Sequence, residues 1–180
     1  MAPSRRGDIE LGSKRGWGAM ADAMGDGAYF GGGVDLVDHV GIVVREIDAS
    51  LPLYVETLGF RAFADEVLPE VGVRVIYLSG GPPGSTTLQL IEPTGPGPLR
   101  DFLEAEGDGL HHICLAVADI PVALARLAPG ADVRIVMGGR GRRACFLPER
   151  RQGLRIELTE IEPWETRRDV GDPPGDGGVA

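Results

Sequence analysis

The sequence predicts an α+β protein of two similar halves, each running strand–helix–strand–strand–strand, a βαβββ module used twice. Three observations predict it. Short apolar runs with a period of two alternate with breakers rich in Gly and Pro, while helical spacing appears only in brief stretches. The first strand of one half is repeated in the other: His39-Val40-Gly41-Ile42-Val43-Val44 matches His112-Ile113-Cys114-Leu115-Ala116-Val117. The last strands correspond more loosely, Thr87-Leu88-Gln89-Leu90-Ile91-Glu92 against Arg155-Ile156-Glu157-Leu158-Thr159-Glu160. Internal duplication of this kind dictates how two halves pack.

Residues 1–34 are rich in Gly, Ala, Asp and Arg and hold no sustained period. Such a segment buries too little apolar surface to offset its ordering entropy, so a disordered extension is expected, and Met20 or Met24 is a candidate start. The first module is assigned to residues 35–97. Within it Val34 to Val44 reads as a strand, with Val40, Ile42 and Val44 on one face and His39, Gly41 and Val43 on the other. Asp48 is placed as the cap of a helix whose Leu51, Tyr54, Val55 and Leu58 form one stripe, and Gly59 stops it. Phe60 to Val67, Gly72 to Leu78 and Thr86 to Ile91 are the three following strands, the last two joined by Gly80-Gly81-Pro82-Pro83-Gly84. A linking helix occupies residues 98–108, chiefly Pro98 to Glu106.

The second module spans residues 109–165. Leu110 to Val117 is its first strand, and Asp119 caps a helix in which Ile120, Ala123, Leu124 and Leu127 share a face. Pro121 is acceptable there because it falls in the first turn, where no intrahelical N–H bond is lost. Strands follow near Asp132 to Met137, Arg143 to Leu147 and Leu154 to Leu158. Residues 166–180, ending in a Gly- and Pro-rich run, are expected to be disordered.

Composition narrows the function. A chain of 180 residues suits one compact domain or two small modules sharing a core. Its formal charge of −9, with Lys14 as the single lysine, argues against nucleic-acid binding, which needs a basic face to displace counterions. No apolar run approaches the roughly 18 residues that cross a bilayer, and the Arg5-Arg6 pair lacks a following hydrophobic stretch. A soluble cytoplasmic protein is the expectation, with no membrane or nucleic-acid partner. Cys114 and Cys145 lie in apolar runs and read as two buried free thiols rather than a pair.

Each half offers one His near the start of its first strand and one Gln or Glu inside its last. A polar residue within an apolar strand costs free energy unless it finds a partner. Gln89 lies between Leu88 and Leu90, and Glu157 between Ile156 and Leu158. One divalent metal ion held by His39, Gln89, His112 and Glu157 would satisfy all four side chains. Two imidazoles with oxygen donors suit Co, Ni, Zn, Mn or Fe. Any one of these residues alone is more often a core or edge residue, and it is the duplicated register that favours the site. His111 is a rival ligand, but alternation from His39 selects His112 and turns His111 away.

The chain from Asp38 to Glu160 resembles the vicinal oxygen chelate superfamily, which includes glyoxalases, bleomycin resistance proteins and dioxygenases, and within it the methylmalonyl-CoA epimerase family. The resemblance rests on Asp38-His39-Val40-Gly41-Ile42, on Leu53-Tyr54 with Leu58-Gly59-Phe60, and on Leu68-Pro69-Glu70-Val71-Gly72-Val73. It continues through Leu90-Ile91-Glu92-Pro93, Gly109-Leu110-His111-His112-Ile113, Val117-Ala118-Asp119-Ile120 and Ile156-Glu157-Leu158. It implies a cupped, incomplete β-barrel around the metal, a small-molecule substrate that is a coenzyme A thioester, and a homodimer. It also implies epimerisation through an enolate, with Glu157 as catalytic residue beside its role as ligand. A second carboxylate found in some relatives falls here on Val75, which leaves Glu70 and Tyr77 as candidates for the other acid–base group. Leu147-Pro148-Glu149-Arg150 departs from the family's usual His-Pro pair and lysine. The basic stretch Arg140, Arg142, Arg143, Arg150, Arg151 and Arg155 is read either as a phosphate-binding loop or as a solvated surface. An isomerase of another oxygen-rich metabolite, such as a cyclitol ketone, and a non-catalytic small-molecule binding protein are the alternatives.

Overall fold

The computed structural model describes residue 34 and residues 36–81, 85–150 and 153–161. The expectations for residues 1–33 and 166–180, for Pro82 to Gly84 and for Arg151 fall outside them. The strands are β1 (Leu36–Val43), β2 (Arg61–Leu68), β3 (Val73–Ser79), β4 (Thr87–Pro93), β5 (Gly109–Val117), β6 (Val136–Met137), β7 (Arg143–Phe146) and β8 (Ile156–Glu160). Helix α1 covers Ile47–Pro52, α2 Pro98–Glu106 and α3 Ile120–Leu127. All eight strands form one curled half-barrel sheet in the order β2-β3-β4-β1-β5-β8-β7-β6. That order reads the same outward from the β1–β5 junction, so the duplication seen in the residues is a duplication of pairing. Within each half the first strand runs parallel to the last, β1 with β4 and β5 with β8, and the other pairings are antiparallel.

Apolar side chains divide by face. Val43, Val73, Val75, Tyr77 and Ile91 pack with Leu103 of α2 on the concave side. Val44, Ile47, Ile76, Leu78 and Leu90 pack beneath α1 on the other side. The second half repeats the outer layer, with Val117, Cys145 and Leu158 against Ile120 and Ala123 of α3. Both cysteines are free and buried.

Several local expectations are corrected. Asp48 does not cap α1; Glu46 occupies that position without a side-chain bond, and the Asp48 carboxylate instead accepts from Arg74 at 3.0 Å. The chain stays helical to Thr57, as the apolar spacing suggests, but only Ile47–Pro52 is α-helical and Leu53–Thr57 is a π-helical turn. Pro52 removes an N–H, and the chain widens into a turn closed by Leu58 N–H to the Leu53 carbonyl. Leu58 is consequently 56% exposed while Leu51 and Tyr54 stay on the core. In α3 the cap is as expected, the Asp119 carboxylate accepting from Val122 N–H at 2.8 Å. Leu127 faces outward and Ala128 takes the buried place after it. Only Val136–Met137 of the run from Asp132 pairs as a strand, at the sheet edge against β7. The last strand begins at Ile156 rather than Leu154.

Candidate metal centre

Four adjacent strands each bring one polar residue to the concave face. Gln89 of β4 lies beside Gly41 of β1, and Gly41 beside His112 of β5. One step along, His39 lies beside Cys114, and Cys114 beside Glu157 of β8. Alternate residues of a strand share a face, so the two rows point the same way. Tyr77 next to Gln89 and Phe146 next to Glu157 complete matching sets from the two halves. Gly41 is required by its neighbour: a methyl group there would overlap the His112 ring.

Three donor atoms converge. His39 Nε2 and His112 Nε2 are 3.3 Å apart, and Glu157 Oε2 lies 3.3 Å from the first and 3.2 Å from the second. For bonds of about 2.1 Å to a single ion, donors should stand about 3.0–3.4 Å apart between octahedral and tetrahedral geometry, so the triangle fits one ion. The ring nitrogens are prepared for it. His39 Nδ1 bonds Asp38 Oδ2 at 2.7 Å, and His112 Nδ1 meets His111 Nδ1 at 2.9 Å. With both Nδ1 atoms engaged, both Nε2 atoms turn to the triangle, where converging lone pairs repel unless a proton or cation lies among them. Gln89 is 6% exposed and donates its Nε2 to the Tyr77 hydroxyl at 2.7 Å, so its Oε1 is the amide's donor for a cation. A second grouping, Asp38, His39 and Cys114, fits less well. Asp38 is already neutralised by Arg140 and Arg142, and burial pushes the Cys114 thiol far up, opposing the thiolate that a metal requires.

The electrostatics follow from burial set against these contacts. Burial opposes the Glu157 carboxylate, yet hydrogen bonds from His112 and His39 hold it far below the usual carboxylate range. Burial pulls His39 down, but the Asp38 and Glu157 carboxylates outweigh it and hold His39 above the ordinary imidazole value. Burial, then the His112 ring, pushes His111 down to about 3, so His111 is neutral. Its placement departs from simple alternation. The pairing of β1 with β5 shifts at Gly41/Ile42, a bulge that leaves His111 without a partner on β1. His111 therefore stacks edge-on against Phe102, Phe146 and His112 instead of turning away. The adjacent histidines marked the place, but no residue-level signal announced the bulge.

Beside the triangle lies a cavity of about 740 Å³ whose walls include Glu157, His111, Phe146, Glu70 and the arginines Arg100, Arg134 and Arg155. The basic stretch does not act as one loop. Arg140 and Arg142 pair with Asp38, Arg143 with Glu160, and Arg150 approaches Glu106 at 4.0 Å. Of the described arginines in that stretch, Arg155 faces the cavity. Val75 is 2% exposed within the apolar layer and supplies no acid–base group; Tyr77, pushed up to about 12 by burial, holds its proton. Among the described residues, no helix is long and apolar enough to cross a membrane.

Residues 38–146 match the Glyoxalase/Bleomycin resistance protein/Dioxygenase superfamily. The chain is 34% identical over 134 residues to the ethylmalonyl-CoA/methylmalonyl-CoA epimerase of Cereibacter sphaeroides, covering 69% of this chain and 97% of the relative. It is 29% identical over 131 residues to the mitochondrial methylmalonyl-CoA epimerase of Homo sapiens, covering 69% and 73% of the two chains. Among solved structures it resembles the methylmalonyl-CoA epimerase of Mycobacterium tuberculosis, with 30% identity, a TM-score of 0.63, and 73% and 91% of the chains covered. A variant of the Streptomyces coelicolor enzyme in complex with 2-nitronate-propionyl-CoA gives 32% identity, a TM-score of 0.63, and 72% and 96% coverage. The chain thus belongs to the glyoxalase/bleomycin resistance protein/dioxygenase superfamily, as an isomerase-type enzyme resembling the methylmalonyl-CoA epimerases.

Proposed function

We propose that this protein is a metal-dependent epimerase of a malonyl-type coenzyme A thioester, with methylmalonyl-CoA as the favoured substrate. The observation that carries the reading is the convergence of two imidazole nitrogens and Glu157 beside a cavity of about 740 Å³. That volume lies in the range of small-molecule sites. His39, Gln89, His112 and Glu157 would hold one divalent ion, which supplies Lewis-acid stabilisation of the charge that develops on the thioester oxygen.

The chain's own groups do the rest. Glu157, ionised and offering one oxygen to the triangle, takes the α-proton with the other. Inversion then needs a proton delivered from the opposite face of the carbon. Glu70 is the other glutamate lining the cavity, and it takes this part where Val75 is apolar. Arg100, Arg134 and Arg155 give the cavity a cationic wall suited to a phosphate-bearing thioester.

The test is deuterium exchange at C2 of methylmalonyl-CoA in heavy water with cobalt-loaded protein. Exchange with inversion is expected, and no exchange removes the thioester reading. Glu157→Gln should abolish exchange from one epimer. Glu70→Gln should slow inversion by about 100-fold or more while exchange at the Glu157 face continues. Equal inversion rates in Glu70→Gln and the parent would return the second proton to another group.

A further inference from the structure

Arg140 has a backbone conformation that side chains rarely tolerate. Among the described non-glycine residues it alone has a positive φ, +58°. An outlier of this kind persists only where its surroundings over-determine it, and it is a pointer to function rather than proof. Both carboxylate oxygens of Glu66 accept the Arg140 backbone N–H, at 3.1 and 2.9 Å, which fixes the turn. The preceding Gly139 lies so close to the Tyr77 hydroxyl that a methyl group would overlap it.

The guanidinium that this turn delivers touches two residues of the first half. It pairs with the Asp38 carboxylate, and its central carbon stands 4.5 Å from the centre of the Tyr77 ring. Asp38 in turn holds His39 Nδ1, and Tyr77 holds the Gln89 amide. One side chain from the second half therefore contacts the supports of both first-half donors, His39 and Gln89. The Arg140 Nε is buried without a hydrogen-bond partner, a cost that a simple surface ion pair would not incur.

We propose that Arg140 is a positioning residue for the metal centre, setting the His39 ring through Asp38 and the Gln89 amide through Tyr77. This rests on the metal-centre reading above and extends it to the connection between the halves. The guanidinium holds Asp38 against His39 Nδ1, so that His39 Nε2 presents its lone pair to the triangle. Its stacking on Tyr77 fixes the hydroxyl that the Gln89 amide grips. A turn that merely closed the fold would need the backbone bond to Glu66 but not the guanidinium.

Cobalt binding separates the two roles. Arg140→Gly removes the guanidinium and suits the positive φ; Arg140→Met removes the charge while keeping much of the stem. Both should weaken Co(II) affinity by about 10- to 100-fold, read by calorimetry or chelator competition, and alter the visible bands of the cobalt protein. The metal-free Arg140→Gly variant should remain folded, because Arg142 still pairs with Asp38 and glycine suits the positive φ. Cobalt affinity within threefold of the parent in both variants overturns the proposal. So does an affinity loss that accompanies loss of the folded metal-free protein in both. A parent that binds no cobalt overturns the metal centre and this proposal together. A parent that binds cobalt tightly, with the expected loss in both variants, supports the proposal even if methylmalonyl-CoA does not exchange.

Discussion

Each imidazole at the donor triangle has its Nδ1 held by the residue before it, Asp38 for His39 and His111 for His112. The supports differ in charge. Asp38 makes His39 more basic, whereas His111 stays neutral, so only the first-half imidazole has a charged support. His111→Phe keeps the ring contacts with Phe102 and Phe146 but removes the Nδ1. It should leave the fold intact and weaken Co(II) binding by roughly 10-fold, as loss of an outer-shell partner does, measured by chelator competition. The thiols make a second test at this scale. Burial pushes Cys145 up to about 11 and Cys114 further, so at pH 8 roughly one Cys145 in a thousand would be thiolate. Raising the pH toward 11 increases that fraction. Neither thiol should react with an aromatic disulfide at pH 8 in the native protein, and both should react in guanidinium; fast labelling of the native chain would contradict the burial.

The two corresponding helices show how far an element can be read from its residues. Asp119 stands before an apolar stripe with Pro121 in the first turn, and it caps α3 through Val122 N–H. Asp48 looks similar in sequence, yet it lies exposed inside the first turn of α1 and pairs with half-buried Arg74. Asp119→Ala should therefore cost about 1 kcal/mol, while Asp48→Ala should cost about 0.5 kcal/mol or less, by urea denaturation of the metal-free protein. Equal losses would mean that the caps are misassigned. The strand β5 repeats the lesson. Its apolar alternation is legible, but the shift in pairing at Gly41/Ile42 depends on β1 lying alongside, so alternation alone turns His111 away where the structure does not. The short β6 likewise depends on an edge position that no local pattern encodes.

At the scale of the whole molecule, the duplicated strands made two equivalent modules legible, and the sheet brings the four residues they singled out onto four adjacent strands. Gln89 and Glu157 were conspicuous because polar residues interrupt apolar runs, and the register places them on the same face as the two histidines. The links that close one half on the other were not readable. Arg140 meets Asp38 across 102 residues and Glu66 across 74, and a basic stretch looks alike whether it binds phosphate or internal carboxylates. A metal bound by the folded chain alone should also raise its stability by mass action. The central claim, one ion held between the halves, is tested most directly by metal stoichiometry. The parent chain should bind one Co(II) per chain, and a folded His112→Ala variant should lose most of that binding. Full metal content retained by His112→Ala would contradict the account.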